Sequence, residues 1–222
     1  MDPTAFLLKH AIFTTRQFAA LCDVRVDAAS RTLARLAGAT GLTRVTRGLW
    51  CQPGHPRFSP YAAVPFLLSN EHGYVSFLSA MHVHGLVSQI PGSFQVATTG
   101  HSRELTSSIG RFEFMQIKPQ MMTAGIESSA TEPAYGIATA EKALLDTLYI
   151  ATRRGNRFAS LPEVDLTAVD RMKLRGLLDR QVQLPQVRRA IEVRLQALAS
   201  PPARSVHRMK SRAAGTSRRE RL

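Results

Sequence analysis

Two short helix-forming segments lie only three residues apart near the start of the chain, and this spacing constrains the fold more than any other feature. A threonine N-cap, Thr14 or Thr15, precedes the first segment. Residues 23–25 form a short break before the second segment, at residues 26–37. The pattern predicts two helices joined by a tight turn.

A further helix precedes this pair, and a hairpin follows it. Asp2 is a suitable cap for a first helix, and apolar side chains at helical spacing extend that helix to about Phe13. Residues 42–50 hold two short β-prone runs around an Arg-Gly turn. Three helices and a β-hairpin in this order predict a winged helix-turn-helix in residues 1–52, with the hairpin as its wing.

The third predicted helix has two chemically different faces. One stripe repeats at steps of three and four residues and consists of Val26, Ala29, Leu33 and Leu36. We expect this stripe to face the second helix. Ala28, Arg31 and Arg35 fall on the opposite face, and Thr32 lies at its edge. The outer face is therefore small and cationic.

The charge balance indicates a polyanionic partner. The chain has 29 Lys and Arg residues against 16 Asp and Glu, a formal net charge of +13. Arginine dominates, and its guanidinium pairs bidentately with phosphate and with guanine edges. We therefore predict binding to double-stranded DNA. The predicted DNA-contacting residues are Ala28, Ser30, Arg31, Thr32, Arg35, Arg44 and Arg47.

The rest of the chain predicts a second domain of mixed composition, so that the expected fold class is α+β. Prolines and a glycine at residues 52–59 indicate a linker. Residues 60–200 combine helical patterns with strand-like runs at 93–98, 111–117 and 135–138. The segment 201–222 has seven basic residues and almost no apolar content, which predicts a disordered basic tail.

Other chemistries find little support in the residue pattern. Cys22 and Cys51 have no metal-ligand spacing, and no cofactor or metal site is predicted. Glu141 and Asp146 have no neighbouring histidine or nucleophile, and Ser76 is interpreted as a helix cap. We expect a protein that is not an enzyme. No apolar run or leader pattern predicts a membrane span or signal peptide, so we expect a cytoplasmic protein.

Three motifs carry a resemblance to a known family. They are LTRVTRGLW at 42–50, YVSFLSAMHVHGL at 74–86 and ATAEKALLDTLY at 138–149. In this order they resemble the AbiE-type antitoxins of abortive-infection toxin–antitoxin systems, over about residues 5–180. Two positions depart from the pattern: Trp50 stands where the family more often has Tyr, and Ala140 stands where a Pro commonly precedes the Glu.

The resemblance implies a protein with two roles. Its winged helix would repress its own operon at inverted repeats in operator DNA. Its C-terminal domain would counter a co-encoded toxin that resembles nucleotidyltransferases, in a type IV system. The alternative is a stand-alone winged-helix regulator without a toxin, whose second domain serves dimerisation or effector binding. The neighbouring gene distinguishes the two hypotheses.

Overall fold

The computed structural model describes residues 2–153 and 157–199, and the predicted α+β class is confirmed. The predicted tail, 201–222, lies outside the described residues. The first elements are α1 (Pro3–Leu7), β1 (Ile12–Thr14), α2 (Thr15–Cys22), α3 (Val26–Thr40), β2 (Thr43–Thr46) and β3 (Leu49–Cys51). A 3-10 helix (Pro60–Ala63) follows, then α4 (Val64–Leu68), β4 (Gly73–Val75), α5 (Phe77–Val83), β5 (Phe94–Thr98), β6 (Arg103–Ser107) and β7 (Gly110–Gln116). The last elements are a 3-10 helix (Pro119–Met122), β8 (Ile126–Ser128), β9 (Gly136–Ala138), α6 (Ala140–Arg153), α7 (Arg171–Gln181) and α8 (Pro185–Ala199).

Residues 2–51 form three helices around a small antiparallel sheet with the strand order β1-β3-β2. Thr14 is the cap of α2: it accepts from the backbone N–H of Gln17, while the Gln17 side chain accepts from the backbone N–H of Thr14. Asp23, in the left-handed region at φ 53°, ends α2 and starts the turn into α3. Local capping and turn chemistry thus set both ends of α2.

The first helix is shorter than predicted. Asp2 does cap it, but α1 ends at Leu7, and Phe13 lies in strand β1 opposite Trp50. Pairing with β3 satisfies the backbone of this segment and still buries Phe13, which is 2% exposed. Apolar residues spaced three or four positions apart therefore do not require a helix here, because Phe13 is buried equally well from strand β1.

The stripe predicted on α3 is correct at its centre and wrong at its first position. Ala29 and Leu33 are fully buried in a small core with Phe6 and Phe18. Val26, in contrast, is 51% exposed. It is the first residue of α3. Helical periodicity shows which face of a helix is apolar, but it does not show how much of the length of that face the neighbouring helix covers.

The larger part of the chain is built on a six-stranded mixed sheet with the order β6-β7-β5-β4-β9-β8. Pairs β5–β7 and β4–β9 are parallel, and the other neighbours are antiparallel. Helices α5 and α6 pack together, and α7 and α8 pack on α6. The sequence predicted the strands β5, β7 and β9 but not the inner strand β4 or the edge strands β6 and β8. The residues of both edge strands are half-buried or exposed.

The segment that we predicted as a linker, 52–59, makes hydrogen bonds with residues near the start of the chain. The Gln52 side chain donates to the carbonyl oxygens of Leu7 and His10, and Arg57 donates to that of Lys9. Four apolar residues that precede this segment belong to the same core as the large sheet: Ile12, Val45, Leu49 and Cys51. The division into domains at 1–52 and 60–200 stays a prediction.

A polar cluster lies at the centre of the large core. Lys142 and Asp146, one turn apart on α6, are both fully buried and form an ion pair. Asp146 Oδ2 also accepts hydrogen bonds from the hydroxyls of Tyr74 and Ser76, each at 2.8 Å. Burial lowers the pKa of Lys142, although the Asp146 carboxylate acts in the opposite direction. Burial, together with Asp146, raises the pKa of Tyr74 well above its ordinary value.

This cluster corrects the interpretation of Ser76. Ser76 does stand at the N-cap position of α5, but its hydroxyl makes no capping hydrogen bond and donates to Asp146 instead. A buried carboxylate needs donors more than a helix end does, because unpaired burial of a charge is far more costly than an uncapped N–H. The cluster therefore joins β4, the start of α5 and α6.

We predict that Asp146→Asn lowers the free energy of unfolding by about 3–5 kcal/mol, because it leaves the Lys142 ammonium buried without a counter-charge. Urea denaturation measures this loss. The double variant Lys142→Met/Asp146→Leu removes both charges. It should be less destabilised than Lys142→Met alone or Asp146→Leu alone. A loss below about 1 kcal/mol for Asp146→Asn would contradict the account of the buried pair.

Candidate nucleic-acid interface

A concave surface opens between the start of α2, the first turns of α3 and the β2–β3 hairpin. We call it the basic concavity, and it encloses about 780 Å³. Its lining consists of Thr14, Thr15, Arg16, Val26, Ser30, Arg44, Arg47, Gly48 and Trp50. The lining thus has three arginines and three hydroxyl groups but no acidic side chain. Such a surface is suited to an anion that accepts several hydrogen bonds.

The hairpin is held against the start of α2 by a short network of hydrogen bonds. The backbone N–H of Thr15 donates to the Gly48 carbonyl at 2.9 Å, and the indole N–H of Trp50 donates to the Thr15 hydroxyl at 2.9 Å. Gly48 has φ +79°, a backbone conformation that residues with a side chain rarely adopt. This conformation explains why a glycine stands at this turn. These contacts fix the positions of Arg44 and Arg47 relative to α2.

A second contact supports the hairpin from the large sheet. The Ser108 hydroxyl, in the turn between β6 and β7, donates to the carbonyl oxygen of Arg44 at 3.0 Å. Val45 and Leu49, on the inner side of the hairpin, are buried in the core of that sheet. The hairpin therefore presents its arginines from a backbone that is braced on two sides.

The structure divides the seven predicted DNA-contacting residues between two neighbouring surfaces. Ser30, Arg44 and Arg47 line the basic concavity. The other four lie along α3 outside this lining: Ala28, Arg31, Thr32 and Arg35. Both α3 arginines are exposed, whereas Ala28 and Thr32 are half-buried. Arg31 and Arg35 therefore lie on the solvent-exposed side of α3, and their contact with DNA stays a prediction.

Sequence reasoning missed three charged residues beside these surfaces: Arg16, Arg25 and Asp27. Arg16, on the first turn of α2, is exposed and lines the basic concavity. Asp27 lies one turn before Arg31 and forms ion pairs with Arg31 at 3.5 Å and with Arg25 at 3.2 Å. The i,i+4 spacing of Asp27 and Arg31 is the signal that could have predicted this pair. Exposed pairs of this kind contribute little to stability, so the Arg31 guanidinium exchanges partners at low cost.

The residues considered for metal binding or catalysis make structural contacts instead. Within residues 2–153 and 157–199, no group of three or more His, Cys, Asp or Glu side chains is placed to hold a metal ion. Glu141 accepts from the backbone N–H of Asp170, and His84 Nε2 lies 2.7 Å from the Ala138 carbonyl oxygen. Both cysteines are free thiols, and burial raises the pKa of Cys51 to about 11. At neutral pH the Cys51 thiol is therefore protonated.

No protein-family model matches the chain, and a search of curated proteins finds no match. No helix in the described part of the chain is long and apolar enough to cross a bilayer. The two cationic surfaces and the sequence motifs are features that indicate a function.

Proposed function

We propose that the chain is a DNA-binding regulator whose first 52 residues act as a winged helix-turn-helix, with α3 as the recognition helix and the β2–β3 hairpin as the wing. One observation carries this proposal. The basic concavity, with three arginines and no acidic lining residue, lies directly beside a helix that exposes Arg31 and Arg35. Two adjoining cationic surfaces, one convex and one concave, match the alternation of groove and phosphate backbone on a DNA duplex.

Each surface has a separate task in this proposal. The first turn and the outer face of α3 enter the major groove, where the Arg31 guanidinium donates to guanine O6 and N7 and Arg35 holds a phosphate. The small side chain of Ala28 permits close approach to the base edges. Arg44 and Arg47 on the wing, and Arg16 on α2, bind phosphates and fix the orientation of α3 without reading most bases.

Asp27 contributes to selectivity in the same proposal. In the free protein its carboxylate pairs with Arg31, so Arg31 is held over the outer face of α3 before DNA arrives. When Arg31 moves to a guanine, the carboxylate is left beside DNA, where it repels phosphate and accepts from the amino group of a cytosine. A carboxylate at this position therefore penalises binding to the wrong sequence.

We further propose that the protein is an antitoxin of the AbiE type, which represses its own operon and counters a nucleotidyltransferase-like toxin. Support comes from the motifs of the resemblance, whose residues are in contact. Ser76 of the second motif bonds Asp146 of the third, and His84 contacts the carbonyl of Ala138. Motif residues that are far apart in sequence thus act as one structural unit in the larger part of the chain.

The first prediction from this proposal concerns the arginines. Arg31→Ala should lower affinity for a duplex selected from a random library by roughly 5- to 150-fold, because it removes a base contact that contributes about 1–3 kcal/mol. Arg44→Ala/Arg47→Ala should weaken all sequences alike and reduce the slope of log K against log salt by about 2. Fluorescence anisotropy over a series of salt concentrations measures both effects.

Arg175→Ala is the matched control, since it removes the same charge from an exposed position on α7. It should leave sequence preference unchanged and the salt slope within about 0.5 of that of the unmodified chain. If Arg31→Ala binds the selected duplex as tightly as the Arg175→Ala variant, α3 is not the recognition helix. An unaltered salt slope for the double variant would remove the hairpin from the interface.

The second prediction concerns the antitoxin role and uses the full chain, because apolar residues of the first fifty belong to the core of the large sheet. Co-expression of the chain with the neighbouring toxin gene should restore colony formation. Arg31→Ala should restore it equally, since its side chain lies on the DNA-facing surface and not in the larger unit. The count of colonies on inducing plates measures rescue.

Failure of the full chain to restore growth would contradict the antitoxin role and favour the stand-alone regulator. Loss of rescue in Arg31→Ala alone would show that neutralisation acts through DNA binding. Neither result would affect the binding measurements above, so the two parts of the proposed function are tested separately.

A further inference from the structure

One exposed apolar side chain lies within the basic concavity. Val26, the first residue of α3, is 51% exposed, although it lines a surface otherwise composed mainly of arginine, serine and threonine side chains. Trp50, the large apolar side chain of the same lining, is buried at 6% exposure and donates to Thr15. Val26 is thus the aliphatic group that this surface presents to a ligand.

The fold of the N-terminal unit does not depend on Val26. The next residues of its stripe, Ala29 and Leu33, are completely buried and close the small core without it. A single exposed valine usually needs no explanation. This one differs in its surroundings, because it lies beside Ser30 and the hairpin arginines on the surface that the proposed function turns toward DNA.

Among the groups on the major-groove edges of DNA, the thymine 5-methyl is the apolar one, whereas the others are hydrogen-bond donors or acceptors. On the basis of the proposed DNA-binding function, we propose that Val26 contacts the 5-methyl group of a thymine and so selects a T·A pair at one position for each bound chain. Val26 is then a specificity-determining residue, and Ser30, one turn later on the same side of α3, bonds an adjacent phosphate or base.

The size of the effect follows from the area removed from water. Burial of one methyl group changes an equilibrium constant about fourfold. Replacement of thymine by uracil removes only this methyl group and keeps the pairing with adenine. Uracil at the contacted position should therefore lower the affinity of the unmodified chain about fourfold, and substitution at other positions should have little effect.

The experiment uses the full chain and a duplex selected from a random library with unmodified bases, so that thymine is the only source of a 5-methyl group. Each thymine is replaced in turn by uracil, and the dissociation constant is measured for the unmodified chain, for Val26→Ala and for Val24→Ala. Val24 is a matched control, because it is 43% exposed in the turn before α3 but does not line the basic concavity.

We expect one thymine for each bound chain to show the fourfold loss with the unmodified chain and with Val24→Ala. The Val26→Ala variant should bind the thymine and uracil duplexes equally, within about 1.5-fold. If the chain discriminates the selected duplex but no uracil substitution lowers affinity, or if Val26→Ala keeps the full sensitivity, the inference is wrong and the proposed function stands. If the chain binds selected and random duplexes equally, sequence-specific recognition fails, and this inference fails with it.

Discussion

The ion pair between Lys142 and Asp146 is the interaction on which the larger part of the structure depends. Both groups are fully buried, so each is tolerated only because the other is present and because Tyr74 and Ser76 donate to the same carboxylate. These four residues come from β4, the start of α5 and α6. A charged pair in a core adds little net stability compared with well-packed apolar residues, but loss of one partner is costly because the other charge stays buried.

The large sheet that packs on α6 also supports the surface proposed to bind DNA. The large sheet, once placed against α6, carries the β6–β7 turn, from which Ser108 bonds the backbone of Arg44. Its core also includes Val45 and Leu49 from the hairpin. On the other side, Thr15 and Trp50 connect the hairpin to α2. The arginines of the basic concavity are therefore long and exposed side chains on a fixed backbone, which lowers the entropy lost when they bind phosphate.

Sequence reasoning was most successful where local chemistry decides the structure. A threonine cap, a short break and helical periodicity located α2 and α3, and the Arg-Gly turn located the hairpin. It was least successful where a distant partner decides. Phe13 was assigned to a helix because its pairing with Trp50 is not visible locally, and Val26 was assigned to the core because periodicity does not show where coverage by α2 ends. The donor role of Ser76 depends on Asp146, seventy positions later.

The candidate DNA contacts were predicted from charge and helical face. The concavity that brings three of them together, Ser30, Arg44 and Arg47, could be recognised only from the fold.

Amide hydrogen exchange of the full chain, with and without a duplex selected from a random library, tests most directly the claim that the chain binds DNA through these two surfaces. Exchange should slow on binding in three segments: residues 15–17 at the start of α2, 26–35 along α3, and 43–48 in the hairpin. Exchange in α7 and α8, which also carry many exposed basic side chains, should not change. Slower exchange confined to α7 and α8, with no change in the three segments, would contradict the account.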